Sequence, residues 1–257
     1  MGPALRHVAL SFVAAASLAG FYALTPAAPL QAGAFFSVAF WVSVTLLVLD
    51  VVVFSRVPAR ALKRRAFVVP VGTVYLVFHL FVYGIVLEKI LTYAYGAPPY
   101  SNGFSLFASF SPYFYPHTLF TSLVQLTVTP SVTVLAPPYY SLSLGPFSFF
   151  SAIVIDLLVV ANLGTVLSTT VMRGRFAEAL GLPLVGVAGG ASCCISVPEI
   201  LTSVSPFYAA LLTSPLGIGL LNILYYALPL TVIFVLRANL DILRRVTTRL
   251  YIRGSTP

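Results

Sequence analysis

The sequence predicts an all-helical integral membrane protein, a six-span helical bundle with an uncharged outer loop. Hydrophobic residues fill 59% of the 257 positions and charged residues only 8%, whereas soluble domains have about 25% charged residues. The mean hydropathy is +1.00. Basic residues are grouped beside apolar runs, which is typical of membrane proteins and gives no support for nucleic-acid binding. We therefore expect residues 1–257 to form a single polytopic membrane domain, with the lipid bilayer as its main partner.

Six apolar runs are long enough to cross a bilayer, which needs about 20 residues. They cover approximately residues 8–24, 32–55, 66–94, 147–172, 182–204 and 214–237. All but one of the basic residues lie next to these runs at sites that face the cytoplasm when the first run crosses outward. They are Arg6, Arg56, Arg60, Lys63, Arg64, Arg65, Arg173, Arg175, Arg237, Arg244, Arg245, Arg249 and Arg253. The pattern predicts a multi-pass protein of the cell membrane with both termini cytoplasmic.

The first run has a second interpretation, as a secretory signal. Arg6 precedes an apolar stretch of signal length, and the small residues Ala27, Ala28 and Ala32 follow it. Cleavage would leave five spans in the same orientation. Because no clean cleavage site stands out, we expect an uncleaved first helix.

The segment 95–146, which this topology places outside, contains no Asp, Glu, Lys or Arg. It is rich in Tyr, Phe and Pro, which suits a cap at the level of the lipid headgroups. Residues Val124 to Thr129 alternate apolar and polar, and Val132 to Val134 resume the alternation after Pro130. This pattern predicts a short β-hairpin. A seventh span over 118–136 is the alternative, and the proline and the hydroxyl residues disfavour it.

The fifth run contains signals for a break in its helix. Gly189-Gly190 weakens a helix, whereas Ser196-Val197-Pro198-Glu199 has the spacing of an N-terminal capping box with proline in the first turn. The pattern predicts two half-helices, with Cys193 and Cys194 in the unwound turn between them. Broken membrane helices are tolerated where their backbone is buried in protein or lines a wet cavity, and transporters use them as ion sites.

The adjacent thiols of Cys193 and Cys194 have three interpretations. A helix N-terminus favours the thiolate form, which binds soft metal ions such as Cu(I) or Hg(II), so the two cysteines are candidate metal ligands. The second interpretation is that both cysteines are small apolar side chains that fill space in a packed helix. The third interpretation is a strained vicinal disulfide. Soft-metal or thiol chemistry is the functional hypothesis among the three.

Ser192-Cys193-Cys194 with Pro198, in a small-residue context that begins at Gly186, resembles the mercuric transport proteins of bacterial metal-resistance systems. The resemblance covers only this short stretch. Those proteins are much smaller and have a second cysteine pair, which this chain lacks. The resemblance implies that Cys193 and Cys194 accept a metal ion and pass it inward.

Intramembrane carboxylates form a second candidate site. An ionised residue at mid-bilayer costs about 2.5–3.5 kcal/mol on insertion scales, so each one suggests a function. Glu88, Asp156 and Glu199 fall in the outer halves of their predicted spans. Together with Asn162 or Asn222, they are candidates for one shared cation or proton site.

These residues also have structural interpretations. Glu88 has a basic neighbour, and Glu199 is placed to cap its half-helix. Asp50 lies near the inner end of its predicted span, close to Arg56. His79, central in the third run, is expected to be a hydrogen-bonded packing residue.

The leading functional hypothesis is a transporter or a protein that handles soft metals or thiols. One alternative is a non-catalytic integral subunit of a larger membrane complex, with protein partners on the Tyr-rich outer segment. Another is a permease of the ABC importer type, because Arg173 to Gly181, followed by Ile195-Ser196-Val197-Pro198, resembles the coupling loop of those permeases. The chain contains no GxSxG, HExxH, Walker-type or dinucleotide-binding glycine motif, so we do not expect an enzyme.

Overall fold

The structure, a computed structural model, describes residues 3–24, 30–54, 65–79, 93, 103–109, 119–136, 140–168 and 214–254. These ranges are mostly helical, as predicted. The helices are α1 (Pro3–Leu24), α2 (Leu30–Val48), α3 (Arg65–Val77), α4 (Leu119–Val128), α5 (Pro146–Ser168) and α6 (Pro215–Gly254). A π-helical segment, Leu49–Phe54, continues α2. The strands are β1 (Ser105–Ser109), β2 (Ser131–Ala136) and β3 (Tyr140–Leu144).

Four of the described helices are long and apolar enough to cross a membrane. Their apolar stretches are Ala4–Ala23, Ala32–Val51, Pro146–Thr165 and Tyr225–Arg245. These stretches correspond to the first, second, fourth and sixth predicted runs. The third run is described over residues 66–79 and at Tyr93, and the fifth run, with its predicted break, lies outside the described residues.

The helices α1 and α2 form an antiparallel pair. Only residues 25–29 separate them in the sequence, and their far ends meet at Asp50. The Asp50 carboxylate pairs with the Arg6 guanidinium and lies 2.7 Å from His7 Nε2. The start of α1 and the end of α2 therefore lie together, and Asp50 has its partners on α1. The predicted neighbour Arg56 lies outside the described residues.

The segment 95–146 contains an antiparallel hairpin, but β2 and β3 form it rather than the predicted residues 124–134. Residues Val124 to Val128 belong to α4, so the predicted first strand is wrong, whereas Val132 to Val134 lie in β2. The strand β2 pairs antiparallel with both β1 and β3, which gives a three-stranded sheet in the order β1-β2-β3. A single span over 118–136 does not form, because the helix ends at Val128 and a strand begins at Ser131.

The burial pattern of α4 explains why this segment is helical. The polar residues Ser122, Gln125 and Thr129 recur at helical spacing and are all buried. Leu123, which points in another direction, is 41% exposed. Leu126 shares the buried face at 2% exposure, so the side of α4 that faces the protein is mixed, with polar residues beside a leucine.

The helix α5 lies at the centre of the described residues and contacts α2, α3, α4 and α6. Val154, Ile155, Leu158 and Val159 on this helix have no exposed surface. At its N-terminal end, Phe147 packs against the rings of four aromatic residues, with centroid distances between 5.1 and 6.3 Å. These partners are Trp41, Phe150, Tyr225 and Tyr226. One phenylalanine therefore joins α2, α5 and α6.

The helices α5 and α6 run parallel. Near the start of α5, the Ser148 and Tyr225 hydroxyls lie 3.0 Å apart. An equal number of residues further along both helices, Asn239 Nδ2 donates a hydrogen bond of 2.9 Å to Asn162 Oδ1. The contacts keep the same register along the two helices, which is possible only when both run in the same direction.

Candidate functional site

Among the predicted cysteine and carboxylate site residues, Asp156 alone falls within the described residues. The predicted metal ligands Cys193 and Cys194 lie outside them, as do Glu88 and Glu199. Within the described ranges, no group of three or more His, Cys, Asp or Glu residues is placed to hold a metal ion. The site that the structure presents is therefore the contact around Asp156.

Asp156 lies near the middle of α5 and is the only charged residue of that helix. Its carboxylate faces Gly72 on α3. A Cβ atom added at Gly72 would lie 3.3 and 3.5 Å from the two carboxylate oxygens and 3.6 Å from Val160. Because glycine has no side chain, α3 and α5 approach each other closely at this point, with the carboxylate between them.

One oxygen of the Asp156 carboxylate, Oδ1, is buried and has no hydrogen-bond partner within the part of the chain that the structure describes. The neighbours Ile155 and Val160 on α5 are apolar and at most 2% exposed. An ionised carboxylate in such surroundings is strongly unfavourable unless it is compensated. This position therefore favours the binding of a cation or a proton.

The face of α3 that carries Gly72 also carries Tyr75, and His79 follows two residues after the helix ends. The Tyr75 hydroxyl and His79 Nδ1 are 3.2 Å apart, and the two ring centroids are 5.6 Å apart. Tyr75 is 6% exposed and His79 is fully buried. The expectation that His79 is a hydrogen-bonded packing residue is confirmed.

Asn162, one of the two amides that the sequence offered for the shared site, has its polar atoms engaged elsewhere. Its Nδ2 atom donates to the carbonyl oxygens of Leu158 at 2.7 Å and of Leu236 at 3.0 Å, and its Oδ1 accepts from Asn239. An amide nitrogen has only two hydrogens to donate, so both are used. Asn162 therefore links α5 to α6.

The end of α4 is held by side chains of α2. The Leu126 carbonyl accepts hydrogen bonds from the Ser37 hydroxyl at 2.9 Å and from the Trp41 indole N–H at 2.7 Å. In a continuous helix this carbonyl would accept from residue 130, but Pro130 has no amide hydrogen. Two donors from α2 thus satisfy a group that the helix end leaves without a partner.

The end of α4 also contacts α5 and α6. The Thr127 hydroxyl lies 2.7 Å from the Tyr226 hydroxyl. A Cβ atom at Gly145, just before α5, would lie 2.9 Å from the Thr127 carbonyl oxygen, so only glycine allows the two backbones to meet here. Uncharged polar groups thus collect around this point, which we call the polar cluster. It comprises Thr127, Ser148, Tyr225 and Tyr226.

The sequence analysis missed the buried polar residues Ser122, Gln125 and Thr129. Their spacing fits one face of a helix and was the available signal. The alternation from Val124 to Thr129 fits a strand equally well over so short a length. The helical spacing becomes visible only when Ser122, which precedes Val124, is considered together with Gln125 and Thr129.

Comparison of the chain with protein-family models, with curated proteins and with solved structures finds no match in any of the three. The function is therefore argued from the residues themselves.

Proposed function

We propose that this protein is a membrane transporter in which Asp156 binds the cation or proton that is moved or that drives transport. The observation that carries the proposal is the buried, unpartnered carboxylate oxygen at the contact between α3 and α5. A carboxylate without compensation weakens a membrane bundle, because burial of the charge costs free energy. A group that is unfavourable for stability and faces the bundle interior is typical of ion and proton pathways in membrane proteins.

The proposed topology has six spans, with both termini in the cytoplasm. The parallel direction of α5 and α6 supports the proposal of one span between them, over residues 182–204. The C-terminal ends of α5 and α6 then lie on one side of the membrane. Arg173 and Arg175 follow the first of these ends, and Arg244 lies in the second, as the positive-inside rule expects.

Charge movement in reconstituted vesicles tests the role of Asp156. When the outside concentration of the bound ion is raised, the wild-type protein should give a transient current on a solid-supported membrane. Asp156→Asn keeps the shape of the side chain and removes its charge, so the current should be lost. Asp50→Asn is the matched control, because Asp50 already has Arg6 and His7 as partners, and its current should persist.

The two adjacent cysteines suggest which ion is transported. We propose that Cys193 and Cys194 bind a soft metal ion such as Cu(I) or Hg(II), since adjacent thiolates are soft ligands. Titration of the purified protein should show tight, stoichiometric binding. The double variant Cys193→Ser with Cys194→Ser should lose this binding and keep its helical content. Equally weak binding by both proteins would contradict the metal assignment and leave the role of Asp156 untouched.

A further inference from the structure

We infer that a groove between α2 and α5 binds one acyl chain of a membrane phospholipid. The groove has a volume of about 380 Å³, within the range of about 300–1,000 Å³ for small-molecule sites in proteins. One wall is the face of α2 from Val38 to Leu46, and the other is the face of α5 from Phe149 to Ile153. The inference is separate from ion binding by Asp156 and gives the molecule a second ligand.

The backbone around the start of α5 forms one end of the groove. Pro130, Gly145 and Pro146 line it there. The two prolines have no amide hydrogen, and the Gly145 carbonyl accepts a hydrogen bond of 3.0 Å from the Phe149 amide. Three polar backbone groups that could have faced an occupant at this end are therefore absent or already bonded.

The polar side chains of the groove are also engaged with the protein. Among the described residues that line it, these side chains are Trp41 and Thr45. The Trp41 indole N–H donates to the Leu126 carbonyl at 2.7 Å, and the Thr45 hydroxyl donates to the Trp41 carbonyl at 2.6 Å. Each side chain has only one hydrogen to donate, so an occupant needs no polar group. A hydrocarbon chain satisfies such a surface.

The groove opens toward the membrane. Val38, Val42 and Leu46 on α2 and Phe149 on α5 line the groove and are 45–53% exposed. In the proposed topology α5 begins at the outer surface, so these residues lie in the outer half of the hydrocarbon core. Acyl chains of the outer leaflet therefore surround the opening.

The dimensions of the groove fit one extended hydrocarbon chain. The α2 wall, from Val38 to Leu46, is about 12 Å long at about 1.5 Å per residue. A volume of about 380 Å³ over this length gives a mean cross-section of about 30 Å². A partner helix about 10 Å wide needs about 80 Å² and does not fit inside. Half of the hydrocarbon core is about 15 Å deep, which is close to the length of the groove.

Trp41 makes the site directly observable, because it lines the groove and is the only tryptophan in the chain. Bromine atoms on an acyl chain quench tryptophan fluorescence on contact. The purified protein in mild detergent is titrated with phosphatidylcholine that carries bromine on one acyl chain. Quenching should reach a plateau at a stoichiometric amount of lipid. It should persist when excess detergent is added at constant lipid, because a bound chain is not diluted.

A variant with a filled groove tests where the lipid binds. Val38→Phe with Val42→Phe adds two rings on one face of α2, and both valines are about half exposed, so the added rings do not displace the core. This variant should need at least about tenfold more lipid, since excluding two or more methylenes weakens binding by that factor. Val69→Phe with Val74→Phe on α3 is the matched control. These two exposed valines lie outside the groove, so lipid binding should equal that of the wild type.

The outcomes separate this inference from the proposed function. Quenching of the wild type that falls in proportion as detergent dilutes the lipid would overturn the inference, and this result needs no variant. Equal quenching in the filled variant and the wild type would also overturn it, because the lipid would then reach Trp41 by another route. Neither result affects the assignment of Asp156, and the absence of an Asp156-dependent current would leave the lipid site in place.

Discussion

Replacing Asp156 by leucine is expected to stabilise the protein by about 2–3 kcal/mol, although most substitutions at buried positions destabilise. The carboxylate oxygen Oδ1 is buried and has no partner among the described residues. Leucine removes the desolvation penalty and has a similar length, and Gly72 leaves the space that its branched end needs. The gain in stability should accompany a complete loss of ion binding.

Equilibrium unfolding in mixed detergent micelles at neutral pH measures the change in the free energy of unfolding. Asp50→Leu is the control, because it breaks the contacts with Arg6 and His7 and should destabilise or leave stability unchanged. Destabilisation by Asp156→Leu would mean that the carboxylate has a structural partner, which would contradict its assignment as an ion-binding group.

Phe147→Ala is expected to destabilise the protein by about 3–5 kcal/mol, the range for deleting a fully packed aromatic side chain. Phe147 is only 4% exposed and contacts rings from α2, α5 and α6. Aromatic pairs of this kind contribute about 0.5–1.5 kcal/mol each beyond area burial. The same substitution should also weaken the packing of α5 against α6, because Phe147 contacts Tyr226 on α6.

Phe149 provides the control for this prediction. It lies two residues further along α5 but is 53% exposed, so Phe149→Ala should change the free energy of unfolding by no more than about 0.5 kcal/mol. Thermal unfolding followed by circular dichroism compares the two variants. Equal losses at both positions would contradict the central place of Phe147 in the packing of α2, α5 and α6.

The helical class and the membrane-length helices were predictable because apolar runs of sufficient length depend only on local composition. The run at 32–55 ends beside the π-helical segment that continues α2, and the run at 147–172 ends a few residues past α5. The long C-terminal helix α6 was harder to delimit. It continues to Gly254, well past the predicted apolar run, because arginine and leucine, both good helix formers, recur in its later part.

The segment 95–146 shows where local pattern fails. Alternation over six residues cannot distinguish a strand from one part of a helix, and α4 was missed for that reason. The strand β3 alternates serine and leucine from Ser141 to Leu144, yet β1 has no comparable signal. Strand pairing depends on contacts between segments distant in the sequence, and no local pattern records those contacts.

The site was predictable in part. Asp156 stood out because it is a lone charge in an apolar run, which is a local property of the sequence. Its position opposite Gly72 was not predictable, because the pairing of α3 with α5 is a tertiary contact. The same holds for Asn162, whose partners Leu236 and Asn239 lie on a helix that is distant in the sequence.

Ion-induced charge movement is the most direct test of the central claim, that Asp156 is the ion-binding carboxylate of a transporter. Wild-type vesicles are compared with vesicles containing Asp156→Asn or Asp50→Asn, at matched protein content, during steps in pH and in cation concentration. We expect a current in the wild type and in Asp50→Asn, and none in Asp156→Asn. A current of wild-type size in Asp156→Asn would contradict the account.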